Sequence, residues 1–250
     1  TVSGRKIFRV PSLKDPFKRN TMADTILEAV GLAKYYFLGG QKIAVLQDIS
    51  LAIAKGQFVV VTGNSGSGKS TLLSLLSGLD LPTTGRITLA GRDITGLSED
   101  QLAPIRNDLT GFVFQAFHLI PSLNAIENVM FPAELRKDDK ARQKAERLLD
   151  LVGLLPRRRN FPDQLSGGEQ QRVAICRALI NEPEIVFADE PTGNLDSENS
   201  EAIIGLLLAL HRDRQTTLVM ATHSTTLAGR ADRVIRLHDG RVVDDSRTVR

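Results

Sequence analysis

A glycine-rich segment near residue 63 constrains the fold of this chain more than any other feature of the sequence. It joins the apolar, β-branched run at residues 57–62, which predicts a buried strand, to the helical pattern Lys69–Leu76. Glycines at such a junction let backbone N–H groups approach an anion, and the helix start adds the positive end of its dipole. The segment fits the phosphate-loop pattern G-x-x-x-x-G-K-S/T and comprises Gly63, Asn64, Ser65, Gly66, Ser67, Gly68, Lys69, Ser70 and Thr71.

Side chains in two segments predict the chemistry at this loop. Lys69 can reach the terminal phosphates of a nucleotide, and the hydroxyl of Ser70 is placed to bind Mg²⁺. A second apolar strand pattern, at residues 184–188, ends in the carboxylates Asp189 and Glu190. We expect this strand beside the phosphate loop, with Asp189 near the metal and Glu190 as the general base for an attacking water.

Strand and helix patterns alternate along most of the chain, which predicts an α/β fold with a mostly parallel sheet. An interval of helical patterns predicts a helical lobe inserted in that core, at about residues 116–170. A final hairpin turns at Asp239-Gly240. The other strand patterns are at residues 26–33, 43–54, 86–89, 111–114 and 217–222, and the other helical patterns are at 124–135, 138–151 and from 198 onward.

Charge is distributed unevenly, which limits the partners that the chain can recognise. The net charge is +3, but residues 1–20 alone carry six basic residues and one acidic residue. The remaining 230 residues hold 26 basic and 28 acidic side chains, so we expect no nucleic-acid partner for a body without a basic field. We predict a solvated, poorly ordered basic extension at residues 1–24, which could also contact acidic lipid or RNA, and one domain at residues 25–250.

The sequence predicts neither a membrane span nor a disulfide. Its longest apolar runs, residues 58–61 and 203–210, are interrupted well short of the roughly 20 residues that a spanning helix needs. We therefore expect any action at a membrane to depend on a partner. Cys176 is the only cysteine and lies in an apolar-periodic run, so we expect a buried packing residue in a reducing compartment.

The segment LSGGEQQR at residues 165–172 indicates a family. Taken alone, Ser166 followed by Glu169 predicts a capping box at a helix start, and Gly167 and Gly168 leave that helix end bare for a phosphate. In its context the segment resembles the signature motif of the ATP-binding-cassette (ABC) ATPases, over about residues 26–243. The resemblance implies ATP and Mg²⁺ as ligands, and a phosphate-loop NTPase core with an antiparallel β subdomain and an inserted helical lobe.

The resemblance also implies roles for residues that carry no decisive signal of their own. Tyr36, or alternatively Tyr35, would stack on adenine. Gln115 would touch Mg²⁺ and the attacking water, and His223 would contact the γ-phosphate. Asp196 stands in the loop that crosses the dimer interface of such enzymes. The implied catalytic residues are therefore Glu190, His223, Gln115 and Lys69, and the implied metal ligands are Ser70, Gln115 and Asp189.

Two positions depart from the common pattern of that family. Glu169 stands where many cassettes have glutamine, and Ser224 follows His223 where aspartate is commoner. The capping role accounts for Glu169, whereas Ser224 leaves the hydrogen bonding of the histidine open.

Five further segments are similar to those of the lipoprotein-release and macrolide-efflux branch: residues 78–80, 111–115, 119–121, 127–129 and 188–196. This branch implies a homodimer that sandwiches ATP, with the phosphate loop of one chain facing the signature of the other. It also implies a separate integral membrane permease that docks on the helical lobe. The expected location is peripheral, on the cytoplasmic face of the inner membrane, and the expected role is export or the extraction of lipoprotein or lipid.

The sequence constrains two features less closely than the family: the surface on which a partner docks, and the cellular process in which the ATPase acts. An apolar run in the helical lobe is either the docking site or ordinary lobe core, and it comprises Phe117, Leu119, Ile120, Pro121 and Leu123. Two alternative functions stay open. One is a soluble cassette ATPase that acts on nucleic acid or the ribosome, and the other is a regulatory ATPase that transmits force in cell-envelope processes.

Overall fold

A computed structural model describes residues 25–247, so the predicted extension at residues 1–24 lies outside the described part of the chain. The strands are β1 (Thr25–Leu38), β2 (Gln41–Ala54), β3 (Phe58–Gly63), β4 (Thr84–Leu89), β5 (Arg92–Asp93), β6 (Thr110–Val113), β7 (Ile185–Asp189), β8 (Thr217–Ala221), β9 (Arg233–His238) and β10 (Arg241–Arg247). The α-helices are α1 (Lys69–Leu76), α2 (Glu99–Leu109), α3 (Ala125–Leu135), α4 (Ala141–Leu151), α5 (Gly167–Leu179), α6 (Ser197–Arg214) and α7 (Thr225–Ala228).

The strands form two sheets of different kinds. The larger sheet has the order β10-β9-β3-β8-β7-β6, parallel from β9 to β6, with β10 added antiparallel at one edge. The smaller sheet has the order β2-β1-β4-β5 and is antiparallel throughout. A mostly parallel core with a separate antiparallel sheet and a helical lobe is the predicted fold class, which is confirmed.

The larger sheet is buried on both faces, as β3 illustrates. Phe58 and Val60 belong to the apolar cluster beneath α3 to α6, whereas Val59 and Val61 belong to the cluster that α1 and the antiparallel sheet cover. Each of the four is at most 2% exposed. Burial on both faces explains why the sequence of this strand is a continuous apolar run without alternation.

The order of the strands next to the phosphate loop was not predicted. β8 pairs with both β3 and β7, so a whole strand separates β7 from the strand that leads into the phosphate loop. Apolar patterns identify strands but carry no information about their order in a sheet. The effect on the site is small, because the carboxyl ends of parallel strands lie at one edge of a sheet and Asp189 ends β7.

The sequence predicted the helices of the lobe but not the helix that precedes the lobe. α3 and α4 confirm the two predicted lobe helices, although residues 114–124 form a loop before α3. α2 was not predicted. It contains Pro104 and buries Leu102, so its sequence lacks the apolar stripe from which a helix is recognised.

Two simpler expectations concern Cys176 and membrane spans. Cys176 is 1% exposed in α5, and burial raises the pKa of its thiol to about 12, as expected for an unreactive packing residue.

Within residues 25–247, no helix combines the length and the apolar character that a membrane crossing requires.

The amide of Asn128 on α3 fixes the loop before that helix. Its Nδ2 donates to the carbonyl oxygens of Ile120, Leu123 and Asn124 at 3.1, 2.8 and 3.1 Å, and its Oδ1 accepts from the N–H of Ile120 at 2.8 Å. The side chain is 0% exposed. One fully bonded carboxamide therefore gives the carbonyl oxygen of Leu123 and the N–H of Ile120 their described partner, and adds a second donor to the carbonyl oxygens of Ile120 and Asn124.

Replacing this amide should destabilise the protein. Asn128→Leu keeps the size of the side chain but removes four hydrogen bonds and leaves the carbonyl oxygen of Leu123 and the N–H of Ile120 without their partner, so we expect a loss of about 2–4 kcal/mol in unfolding free energy. Urea unfolding measures it, with the exposed Gln143→Leu on α4 as the control. A loss no larger than that of the control would show that the loop is held by other contacts.

Candidate active site

The phosphate loop between β3 and α1 has the backbone conformation that only glycine adopts without strain. Gly63, Gly66 and Gly68 have φ values of 151°, 77° and 100°. A Cβ at Gly63 would lie 2.4 Å from the carbonyl oxygen of Leu237, and one at Gly68 would lie 2.7 Å from the side chain of Leu46. Because no side chain caps the first turn of α1, its N–H groups are left for an anion.

A hairpin turn between β9 and β10 supports the loop from behind. The N–H of Gly240 donates to the carbonyl oxygen of Ser67 at 3.1 Å, and the carbonyl oxygen of Gly240 accepts from the N–H of Gln47 at 2.8 Å. Gly240 has a φ of 73°, and a Cβ there would lie 2.3 Å from the carbonyl oxygen of Val45. The phosphate loop is therefore tied to β2 and to the hairpin, and sequence patterns gave no sign of this support.

Lys69 lies across the mouth of the loop. Its Nζ donates to the carbonyl oxygens of Gly63 and Asn64 at 3.0 and 3.1 Å and lies 3.4 Å from Nε2 of His223. The side chain is 6% exposed. A buried ammonium group bonded only to neutral partners is well suited to exchange them for the oxygens of an anion.

The two predicted carboxylates meet this loop from β7. Asp189 lies close enough to the hydroxyl of Ser70 for that hydroxyl to favour its ionised form, and its Oδ1 is buried without a hydrogen-bond partner. Glu190 lies beside His223, with its Oε1 3.1 Å from Nε2 of that residue. Glu190 also has a φ of 44°, a conformation that costs a residue other than glycine free energy and is concentrated at functional sites.

Burial decides the acidity of both carboxylates. It raises the pKa of Asp189 above its ordinary value, although the Ser70 hydroxyl and the charge of Lys69 favour the ionised form. Burial also raises the pKa of Glu190, and this outweighs the opposing effect of His223 and Lys69. A carboxylate made more basic in this way is better suited to accept a proton near neutral pH.

Gln115, at the end of the β6 segment, contacts a different loop. Its carbonyl oxygen accepts from Nδ2 of Asn194 at 3.0 Å, and its Nε2 lies 3.5 Å from Oδ1 of the same residue. A Cβ at Gly193 would lie 2.7 Å from that Nε2. The structure thus places Gln115 against the turn that follows Glu190, and its contact with the metal stays a prediction.

The signature segment forms the predicted capping box at the start of α5. Ser166 Oγ accepts from the N–H of Glu169 at 3.3 Å, and a carboxylate oxygen of Glu169 accepts from the N–H of Ser166 at 2.9 Å. None of the hydrogen bonds described for these two residues, or for Asp196, joins them to Lys69 or Asp189. Within residues 25–247, the signature thus has no described hydrogen bond to the phosphate loop, and its role in binding stays a prediction.

The start of α6 packs against the signature. Asp196 caps α6 by accepting from the N–H of Asn199 at 2.8 Å, and its other oxygen accepts from Nδ2 of the same residue. A Cβ at Gly168 would lie 2.4 Å from Oδ1 of Asn199, so only glycine fits there. Asp196 therefore stands beside the signature, and Asn199 is a neighbour that sequence patterns did not reveal.

The two tyrosines near the end of β1 differ in their surroundings. Tyr36 is 46% exposed, and its hydroxyl donates to Oδ2 of Asp80 at 3.2 Å. The ring of Tyr35 is covered by Nζ of Lys42 at 3.7 Å from the centroid. Nζ of Lys34 lies over the Tyr36 ring at the longer distance of 5.2 Å, so Tyr36 is the less closely covered of the two, and its stacking on a base stays a prediction.

The residues around the phosphate loop suit a nucleotide with Mg²⁺. The Ser70 hydroxyl and the unpartnered oxygen of Asp189 are hard oxygen donors of the kind that Mg²⁺ prefers. Within residues 25–247, no group of three or more His, Cys, Asp or Glu side chains is arranged to hold a metal ion. Mg²⁺ at this site would therefore depend on phosphate oxygens and water for its remaining ligands.

Comparisons with known proteins agree with this geometry. The sequence profile described as ABC transporter matches residues 46–193. The lipoprotein-releasing system ATP-binding protein LolD of Bordetella pertussis is 46% identical, over 88% of this chain and 96% of LolD. The macrolide export ATP-binding/permease protein MacB of Chlorobaculum tepidum is 48% identical, over 88% of this chain but only 34% of its own length.

A solved structure has the same fold. The dimeric ATP-binding cassette MJ0796, in a post-hydrolysis state with ADP and Pi, matches with a TM-score of 0.83 at 40% identity, over 88% of this chain and 98% of that chain. These comparisons confirm the resemblance that the signature segment indicated in the sequence.

The raised pKa of Asp189 predicts how stability depends on pH. Asp189→Asn in the nucleotide-free protein should have the higher unfolding free energy at pH 8, because the buried charge of the wild type destabilises its fold there. The gap should narrow as the pH falls through the raised pKa of the folded state and should close below about 4, the ordinary value in the unfolded chain, because the carboxyl is neutral in both states only there.

Urea unfolding across this pH range tests the prediction. The exposed Asp139→Asn serves as the control, since a surface carboxylate carries little desolvation cost at any pH. A wild type more stable than Asp189→Asn at pH 8 would show that Lys69 and Ser70 outweigh burial.

Proposed function

This chain belongs to the ABC transporter family, and from that premise we propose that it binds and hydrolyses Mg-ATP as one half of a homodimer that drives a separate membrane permease. One observation carries the proposal. Lys69, the Ser70–Asp189 pair and the Glu190–His223 pair converge on a helix end that no side chain caps, while the signature forms a second helix start, where the N–H groups of Gly167 and Gly168 lie outside the capping box. Each chain then has two half-sites for one kind of ligand.

The residues at the phosphate loop would hold and orient the nucleotide. The loop N–H groups and Nζ of Lys69 would bind the terminal phosphates, and Ser70, Asp189 and Gln115 would hold Mg²⁺. The metal, when bound, neutralises charge that develops on the phosphate oxygens. Tyr36 would stack on the adenine through its exposed ring.

Glu190 would accept the proton of the attacking water. Its raised pKa suits that role, and its backbone conformation directs the carboxylate towards Lys69 and His223. His223 lies between Glu190 and Lys69, within reach of both, so it can contact a γ-phosphate held by the lysine. The proton would move from water to Oε1 or Oε2 of Glu190.

The signature would complete the site of a second chain. Ser166 and Glu169 cap the helix that starts there, which leaves the N–H groups of Gly167 and Gly168 for a ligand, and Ser166 is exposed. ATP between such an end and a phosphate loop would join the two chains, and hydrolysis would release them. Support comes from the dimeric form of the cassette MJ0796.

A variant that binds ATP without hydrolysing it should remain dimeric. Glu190→Gln removes the proton acceptor but keeps the size of the side chain, so we expect a dimer with saturating Mg-ATP and a monomer with Mg-ADP. Light scattering after gel filtration measures the mass. The double variant Lys69→Met, Glu190→Gln should stay monomeric, and a monomeric Glu190→Gln at saturating Mg-ATP would refute the sandwich.

The permease would dock in a groove between the helical lobe and the core. This groove has a volume of about 430 Å³ and exposes apolar side chains of α3, with Leu135 64% and Phe131 39% exposed. Other residues that line it are Leu79, Ala103, Arg106, Asn107, Phe112, Phe114, His118, Arg177 and Asn181. An apolar groove with a few fixed polar groups suits a short amphipathic segment of a partner.

This groove modifies the expectation for the apolar run of the lobe. Leu119 packs against the core cluster, and Phe117 lies against the position of Gly167, where a Cβ would be 3.6 Å from its ring. Ile120 and Leu123 are half-buried in the same loop, while Pro121 is exposed. The run therefore contributes mainly to the lobe, and we place the docking surface on α3.

The names of the relatives support a role in extrusion. LolD is named for lipoprotein release, and MacB is named as an ATP-binding protein and permease for macrolide export. We infer that this chain works with a permease at the cytoplasmic face of the inner membrane, in export or in the extraction of lipoprotein or lipid. A pull-down of Glu190→Gln with Mg-ATP from detergent-solubilised membranes would identify the permease.

Charge in the groove should uncouple the ATPase from its permease. Leu135→Glu places a carboxylate on the exposed face of α3, so we expect stimulation by the permease to fall at least about tenfold, while ATPase without permease stays within about twofold. Leu151→Glu, exposed on α4 outside the groove lining, is the matched control. Equal stimulation of both variants would exclude the groove as the docking site.

A further inference from the structure

The side chain of Gln171 lies between the two loops that carry Gln115 and Glu190. It is 0% exposed in the early part of α5. Its Nε2 donates to the carbonyl oxygen of Pro191 at 2.7 Å and, less closely, to that of Phe114 at 3.4 Å. Phe114 directly precedes Gln115, and Pro191 directly follows Glu190. One carboxamide therefore contacts the backbone beside both residues.

The segment held on the Glu190 side is a tight turn. The N–H of Gly193 donates to the carbonyl oxygen of Glu190 at 3.0 Å, which places Pro191 and Thr192 at the centre of the turn. Glu190 starts this turn with its φ of 44°. Such a conformation persists only where neighbouring contacts hold it, and Gln171 supplies one at the next residue.

The other side of the contact is the end of β6. β6 and β7 are paired strands, with Val113 opposite Ala188, so their carboxyl ends lie side by side. Gln171 reaches the first residue beyond β6 and the second residue beyond β7 with a single nitrogen. A shift of this nitrogen would change the distance between the two loops or move both of them.

The hydrogen bonds of Gln171 contribute more to the position of the two loops than to the stability of the fold. Its Oε1 is buried and accepts no hydrogen bond, whereas both polar atoms of the equally buried Asn128 are bonded. A buried acceptor without a donor opposes folding. An apolar side chain of the same length would fill the space without that penalty, so the specific contribution of the amide is its contact with the two loops.

We propose that Gln171 is a positioning residue for ATP hydrolysis, through which the signature helix sets the geometry of Glu190 and Gln115. α5 begins at the signature, so a nucleotide bound by that helix end in the dimer would fix the helix and its amide together. The catalytic loops of one chain would then be in place only when its signature is engaged. This inference rests on the function proposed above.

Gln171→Met tests the proposal because it keeps the length of the side chain and removes the donor. We expect kcat for Mg-ATP to fall by about 10- to 100-fold, as for catalytic groups displaced by about 1 Å. KM and the affinity for ADP should change less than about threefold, because the phosphate loop is untouched. Gln171→Leu, which also lacks the donor, should likewise lose kcat while KM and the affinity for ADP change little.

Asn128→Leu is the matched control for a purely structural effect. Both residues are fully buried amides in the helices of the lobe, but the bonds of Asn128 stay within the lobe. We expect it to lose unfolding free energy while its kcat per folded molecule stays within about threefold of the wild type. Asn128→Leu should therefore lose stability but keep its turnover, whereas Gln171→Met should lose turnover without a matching loss of stability.

Each outcome decides the proposal. If kcat of Gln171→Met, or of Gln171→Leu where the first does not fold, stays within about twofold of the wild type, Gln171 has no positioning role. A joint loss of kcat and ADP affinity, in step with the folded fraction, would also refute it. If the wild type hydrolyses ATP and Glu190→Gln does not, only this inference fails in those cases; a wild type without ATPase activity would overturn both.

Discussion

The close packing behind the phosphate loop is the constraint on which the rest of the site depends. A Cβ at Gly63 would lie 2.4 Å from the carbonyl oxygen of Leu237 on β9, and one at Gly68 would lie 2.9 Å from that of Val45 on β2. The loop therefore takes its shape only when both sheets have formed, and the turn at Gly240 adds a third support. The motif supplies the glycines, but contacts with β9, β2 and the turn at Gly240 determine the direction in which their N–H groups point.

The same edge of the sheet concentrates charge where burial makes it unfavourable. Asp189 and Glu190 both have raised pKa values because of desolvation, in spite of the cations nearby. Neighbouring oxygens of Asp189 and Glu190 and the hydroxyl of Ser67 are buried without hydrogen bonds. An arrangement of this kind opposes folding, as active sites commonly do, and a nucleotide with its metal would relieve it by giving these groups partners.

Local signals in the sequence predicted the parts of the site that a few neighbouring residues determine. α1 begins and ends where its pattern indicated, at Lys69 and Leu76, and the capping box of Ser166 and Glu169 forms as expected. The order of the strands, the support from Gly240 and the contacts of Gln171 were not predicted. These arise from residues far apart in the chain, for which a single sequence offers no periodicity, motif or composition to read.

α5 links the features that otherwise lie apart. Its first turn is the signature, Gln171 reaches the loops beside Glu190 and Gln115, and near its end Arg177 donates to the carbonyl oxygens of Phe117 and His118. The last contact borders the groove proposed for the permease, which His118 and Arg177 line. Because coupling free energies are reciprocal, a helix that transmits ATP binding to this groove must also let an occupied groove alter the catalytic loops. In the proposed function, docking and dimer closure would then act on the same helix, and neither could occur without affecting the other.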